Sequence, residues 1–401
     1  MKKSILIFLV FAYAINSNAI SFTDAVKKLR QHESIDVVKN ISKATEFEAD
    51  IKSSWGDPKF KITAKNFPVE TLKNDQSPMT GLEFGIGQKI PLTSKYSNVE
   101  ESLRSLSKSY QYDAQDKSEY LLKNFWEILI TRRQMEDEKN ILKENFSWLD
   151  KILKVSKKLY TNGKISQQAL LDLQIRRSEI ESLLNNKSYD LDKLNDNLNY
   201  LLQSESNVDI KSIPWRVLNT HHKKVVDNRE KSLFQKLKSK ELGLKASRLN
   251  YIPDMTVSIG YTKRENIDGL GDFVGASLSF PLPFSGEKYS GVDKAIHEKY
   301  SAKKSLDNYK RAKRRDISLL KKEISKLERD LHIISSKTIK FARNSRLITS
   351  KSYGIGNSTY VELLQSELKL QEILLKKTML ISNRDIQKIT LKYVLGESLY
   401  E

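Results

Sequence analysis

Few residues of this 401-residue chain have the type and spacing that would do covalent chemistry. His221-His222 offers two imidazoles, but adjacent residues on a regular helix cannot both face one ion, and no third ligand lies near in sequence. The pair reads as part of a linker. Gly85-Ile86-Gly87 and Gly354-Ile355-Gly356 have close glycines but lack the strand-then-helix frame of a dinucleotide loop. No Gly-x-Ser-x-Gly stands in the chain, and no pair of carboxylates reads as a catalytic acid and base. Cysteine is absent. That excludes disulfides, thiolate metal sites, cysteine nucleophiles and a lipidated N-terminal Cys. No enzyme activity, cofactor or metal is expected, and a secreted enzyme is the weakest reading. Two acids follow the glycines of two predicted turns: Asp172, nine residues after Gly163, and Glu362, six after Gly356. Alone, each reads as a solvated acid on a helix surface.

The elements that carry these acids occur twice. Tyr160-Thr161-Asn162-Gly163 recurs 193 residues later as Tyr353-Gly354-Ile355-Gly356. The same offset relates Leu170-Leu171 to Leu363-Leu364, Glu179-Ile180 to Glu372-Ile373, and Leu198 and Tyr200 to Leu391 and Tyr393. A reversal between antiparallel helices needs a residue that tolerates positive φ, which accounts for Gly163 and Gly356. Ser166 and Thr359 can cap the helices that follow.

Each copy also carries alternating strands. Phe60, Ile62 and Ala64 alternate with Lys59, Lys61, Thr63 and Lys65; Leu82, Phe84 and Ile86 alternate with Glu83, Gly85 and Gly87. In the second copy Met255, Val257, Ile259 and Tyr261 alternate with Thr256, Ser258, Gly260 and Thr262, and Val274, Ala276, Leu278 and Phe280 with Gly275, Ser277 and Ser279. Ile90-Pro91-Leu92 and Phe280-Pro281-Leu282 end the second strands. Apolar residues on one face and small or polar ones on the other are the pattern of a transmembrane barrel strand, though each hairpin taken alone reads first as a soluble hairpin with one wet face. Trp55, Tyr96, Tyr251, Phe284 and Tyr289 sit at strand ends, where a bilayer-interface girdle would fall. Four strands cannot close a barrel; three chains would supply twelve.

Between the strands and the turns the sequence predicts long helices, about 97–159 and 288–352, each roughly 95 Å if unbroken. Shorter partners follow, about 166–203 and 359–396. In the first of these, Leu170, Leu173, Ile180, Leu184, Leu191, Leu194, Leu198 and Leu201 form a coiled-coil seam, with Arg177 and Lys187 in its intervening slots. An earlier helix is expected from a Thr23 cap to about Ser53.

The ends and the charge complete the reading. Lys2 and Lys3, the apolar stretch Ser4–Ile15 and Ser17-Asn18-Ala19 form a signal peptide, residues 1–19. The first repeat is 20–203, with strands about 58–67 and 80–90. A docked linker, 204–222, contains Ile213-Pro214-Trp215. The second repeat is 223–401, with strands about 254–263 and 272–281. No later stretch could span a bilayer as a helix. The net charge is +19. Its lysines are spread along helices rather than gathered with aromatics, so no nucleic-acid partner is expected, while outer-membrane lipid remains a candidate.

The ordered, duplicated set resembles the TolC-like outer-membrane efflux proteins. It comprises helix–hairpin–helix, strand-ending Pro-Leu, and the Tyr-x-x-Gly-x-x-Ser/Thr turn followed by Leu-Leu. The stretch Pro58–Leu92, with Asn66-Phe67-Pro68, is similar to the heavy-metal-efflux, CzcC-like branch. The resemblance implies a mainly α fold with a membrane β-barrel part. The chain would form a homotrimer with a 12-stranded outer-membrane β-barrel and a 12-helix periplasmic α-barrel. It also implies a passive exit duct in the cell outer membrane, serving tripartite efflux or type I secretion. Its partners would be a periplasmic adaptor (membrane fusion) protein and an inner-membrane pump of RND or ABC type. Tyr160, Gly163, Ser166, Tyr353, Gly356 and Thr359 would then form adaptor-docking tips, and Asp172 and Glu362 a periplasmic gate of threefold carboxylate rings. Strong positive charge departs from the family's pattern. A soluble periplasmic coiled-coil adaptor or spacer is the alternative.

Overall fold

A computed structural model describes residues 19–205, 207–220 and 225–400. The expected signal peptide, as far as Asn18, and His221-His222 lie outside the described residues. The chain forms two compact units, each drawing on both sequence copies: residues 1–35, 117–227 and 313–401, and residues 36–116 and 228–312.

The smaller unit holds the strands. β1 (Lys59–Lys65), β2 (Gly81–Ile90), β3 (Met255–Arg264) and β4 (Phe273–Ser279) form one antiparallel sheet in chain order. The central β2–β3 pair joins the two copies: Phe84 faces Tyr261 and Ile86 faces Ile259. Most of α2 (Glu33–Ser53), the first part of α3 (Lys95–Thr161), α5 (Asn228–Leu249) and the first part of α6 (Glu287–Ile333) complete this unit. Small residues let these helices approach closely. Ser42 and Ser107 each donate to the other's backbone carbonyl at 2.9 Å, and Ser102 donates to the Ser239 carbonyl at 2.8 Å.

The larger unit is helical. Ser21 caps α1 (Phe22–Arg30) by accepting from the Asp24 amide, and Phe22, Ala25, Val26 and Leu29 bury one face. Thr23 therefore lies inside the helix rather than at its cap. The expected single helix to Ser53 is broken at Gln31-His32, where the His32 ring accepts from the Ser34 amide at 3.1 Å and starts α2. Phe22 stacks on Phe125 and meets Trp126; Trp126 donates to the Leu399 carbonyl at 2.8 Å and packs edge-on against Trp215. Ile20 bridges to Val208, and Ile213, Val217 and Leu218 are buried. The described link residues are thus docked, as Ile213-Pro214-Trp215 suggests.

α4 (Gln167–Leu202) and α8 (Tyr360–Leu395) have bounds offset by 193 at both ends. α3 is continuous, whereas its counterpart is interrupted: α6 gives way to a π-helical turn, Ile334–Thr338, before α7 (Ile339–Gly354). The apolar stripe Leu327, Leu331, Ile334, Ile339, Ala342 packs against Leu370, Ile373 and Leu380. Its five-residue step from Ile334 to Ile339 is where the π-turn falls, keeping both sides of the stripe on α8. On α4 the buried seam cation is Arg176, not Arg177. Arg177 stands out over the Phe146 ring and pairs with Asp150 at 2.6 Å.

Candidate functional site

Two surfaces carry function-bearing residues, one on the sheet and one at the helix turns. Cross-strand pairing puts Phe60, Ile86, Ile259 and Ala276 on one rung, and Ile62, Phe84, Tyr261 and Val274 on the next. Partners directly opposite share a face. Phe60, Ile62, Phe84, Ile86, Ile259, Tyr261, Val274 and Leu278 are 37% to 76% exposed, so the whole apolar face of the sheet is uncovered. The opposite face carries Lys59, Gly87, Ser258 and Ser277 on one rung and Lys61, Gly85, Gly260 and Gly275 on the next. A concavity of about 680 Å³ lies over it. β1 and β4 leave two open edges, which is a liability unless another chain pairs with them.

The strand-end aromatics divide into two kinds. Trp55, Phe284 and Tyr289 are well exposed, and Tyr289 meets Tyr251 edge-on at 5.4 Å. Tyr96 is instead tied into a polar knot. Its hydroxyl donates to buried Asp254 at 2.9 Å, and that carboxylate also binds Lys89 and Lys95 at 2.8 Å each.

At the turns the two copies repeat their hydrogen bonds as well as their letters. The Gly163 amide donates to the Tyr160 carbonyl and Lys164 to Leu159; the Gly356 amide donates to Tyr353 and Asn357 to Ser352. This five-residue reach closes a helix end through a left-handed residue. Gly163 has φ +65° and Gly356 φ +84°, and a Cβ on either would meet nothing within 4 Å, so backbone conformation alone requires glycine. Ser166 accepts from the Ala169 amide, and Thr359 forms a capping box with Glu362.

The tyrosines of the turns differ. Tyr160 is exposed, while Tyr353 is buried among Leu149, Ile152, Leu363 and their neighbours, its hydroxyl 2.9 Å from that of Ser156. Glu362 accepts from the Thr359 amide and the Ser358 hydroxyl at 2.9 Å, which holds its carboxyl below the ordinary range. Asp172 accepts from Gln168 at 2.8 Å and from the Tyr360 hydroxyl, whose own pKa it pushes up. Asp172 and the start of α8 are thereby brought together.

A third cluster was not anticipated. Arg176 donates to Glu367 at 3.3 Å, to Glu179 at 3.1 Å and to Gln371 at 2.7 Å. Asn145 donates to Gln371, and Arg346 to Asn145. Glu367 is fully buried, and its second oxygen has no hydrogen-bond partner. Burial pushes its pKa up, against the pull of Arg176. The available signal was Glu367 between Leu363 and Leu370, an acid in an apolar helix slot. Among the described residues no group of three His, Asp or Glu could hold a metal, and no helix is long and apolar enough to cross a membrane.

No protein-family model matches the sequence, and no curated protein is detectably similar to it. Solved structures are similar over nearly the whole chain. The outer membrane protein VceC of Vibrio cholerae superposes with a TM-score of 0.77 at 13% identity, covering 94% of this chain and 96% of its own. CusC, whose structures concern folding and transmembrane channel formation, gives 0.76 at 12%, covering 95% and 94%. The CmeC outer membrane channel of Campylobacter jejuni gives 0.74 at 13%, covering 93% and 85%. The fold is that of TolC-like outer-membrane channels, as the duplicated pattern implies; the CzcC-like branch gains no support from these comparisons.

Proposed function

We propose that the chain is the outer-membrane exit duct of a tripartite efflux or type I secretion system. The carrying observation is the sheet. Its uncovered apolar face would be insoluble in water and is stable against lipid, while the polar, glycine-rich face suits a water-filled interior. Two open edges ask for further strands. Three chains give twelve, closing a barrel, and twelve helices line the periplasmic tunnel. Leu171, Ile175, Val361 and Leu368, exposed on α4 and α8, would be covered by neighbouring copies. Transport through such a duct needs no bond chemistry; an inner-membrane RND or ABC pump supplies the energy through a periplasmic adaptor.

Within that reading the two turns are the adaptor-docking tips. Exposed Tyr160 and the Gly163 and Gly356 backbones offer the contact, while buried Tyr353 and the Ser166 and Thr359 caps hold the turns in shape. Asp172 and Glu362 form the periplasmic gate. Trp55, Tyr251, Phe284 and Tyr289, with Tyr96 on the polar knot, mark the lipid interface.

The duct is tested by the native mass of detergent-extracted protein from purified outer membranes. Three mature chains of this 46.3 kDa precursor give about 130 kDa of protein. A monomer in the soluble periplasmic fraction would overturn it. The gate is tested by Asp172→Asn with Glu362→Gln, which keeps a capping side chain and removes charge. Cation selectivity in bilayer recordings should fall; unchanged selectivity removes both residues from the gate.

A further inference from the structure

We propose that the polar face of the sheet is an anion-collecting vestibule, gripping polyvalent oxyanions such as condensed phosphates. The proposal rests on the duct reading and adds to it the chemistry of the barrel interior.

The concavity on that face is lined by Lys59, Lys61, Lys65 and Lys89 against two carboxylates, Asp57 and Glu83. Glu83 is taken by Lys65. Lys89 is taken by Asp254, itself shared with Lys95. Asp57 is exposed and has no partner among the described residues. Lys59 and Lys61 are exposed and likewise pair with no carboxylate among the described residues. They are two residues apart on β1, so both side chains rise from one face, their Cα atoms about 7 Å apart. Three chains would bring six such groups, against three Asp57 carboxylates, around one lumen. In a water-filled channel with a low-dielectric wall, like charges of this density focus potential and concentrate counter-ions.

The glycines are an independent sign. The rung that begins with Lys61 continues Gly85, Gly260, Gly275. None of the three has a left-handed φ. A Cβ on Gly275 would meet nothing within 4 Å, and one on Gly85 only ordinary contacts. A Cβ on Gly260 would stand 2.6 Å from the Glu83 carboxylate, so packing accounts for that glycine; strand glycines weaken a sheet, and packing within the chain does not explain Gly275. Gly275 leaves the β4 end of the rung open, so that an anion and its hydration can lie there against backbone, beyond the Glu83 carboxylate that covers Gly260.

The test uses the full mature chain in planar bilayers, with tripolyphosphate as the probe. Added on the side of the strand loops, tripolyphosphate should block wild-type current, less so as KCl is raised. Lys59→Gln with Lys61→Gln should raise the half-blocking concentration about tenfold. Gly275→Asp, which has room for its side chain, should raise it as well, by setting a carboxylate on the same rung. Half-blocking concentrations equal in wild type and the double variant would overturn the vestibule while leaving the duct intact. A detergent-extracted chain that forms no conducting pore at all would overturn the duct reading, and the vestibule with it.

Discussion

Glu367 shows how one side chain sets a pH response. Its carboxyl is buried and its pKa raised, so the folded state holds a proton more tightly than the unfolded chain does. Stability from this group is full below the unfolded value, near 4.5, and is lost as pH rises through the higher folded value. Thermal melts of Glu367→Gln should therefore lose less stability between acid and neutral pH than wild type does. The paired cation gives a sharper outcome. Arg176→Met leaves a buried carboxylate without its counter-ion and should cost about 3 to 5 kcal/mol at neutral pH. Adding Glu367→Gln to it should recover much of that loss. If Arg176→Met melts like wild type, the network contributes nothing to the helix packing.

The elements were more legible than their corrections. Turn chemistry and period-2 alternation are local, so Gly163, Gly356, Ser166, Thr359 and all four strands could be read directly from the chain. The break at Gln31-His32 could not, because the ring that starts α2 is not a usual capping side chain. Nor could the π-turn at Ile334–Thr338, which answers to packing on α8. The second copy carries three more residues between strand end and turn than the first, an offset of 193 against 190. The π-turn falls at the five-residue step from Ile334 to Ile339 and keeps the apolar stripe on α8. Arg176 was missed because a heptad count placed the cation one residue later, at Arg177. The C-caps provide a test of the duplication itself. Gln203 and Gly396, 193 apart, both end a helix in the left-handed region, at φ 50° and 82°. Gln203→Gly should stabilise by about 0.5 to 1 kcal/mol. Gly396→Ala should cost more than Gly163→Ala, because its Cβ would stand 2.6 Å from the Val226 carbonyl. Unfolding midpoints of the three variants would check that order.

At the scale of the molecule, the two compact units do not correspond to the two sequence copies. The first hairpin, β1–β2, is complete in itself, but its inner edge is covered only by β3, which begins at Met255. Residue 90 therefore waits for residue 255. On the proposed duct reading the chain enters the periplasm from its N-terminus, and until β3 follows, the first hairpin stands with both edges bare and its apolar face wet. Contacts this distant in sequence form late, and an unpaired strand edge is where misassociation begins. The order of synthesis thus opens an interval in which this protein depends on being held apart from its own kind. Shortening the wait by circular permutation, so that β2 and β3 are exported together, should lower the demand for periplasmic holding chaperones without altering the finished sheet.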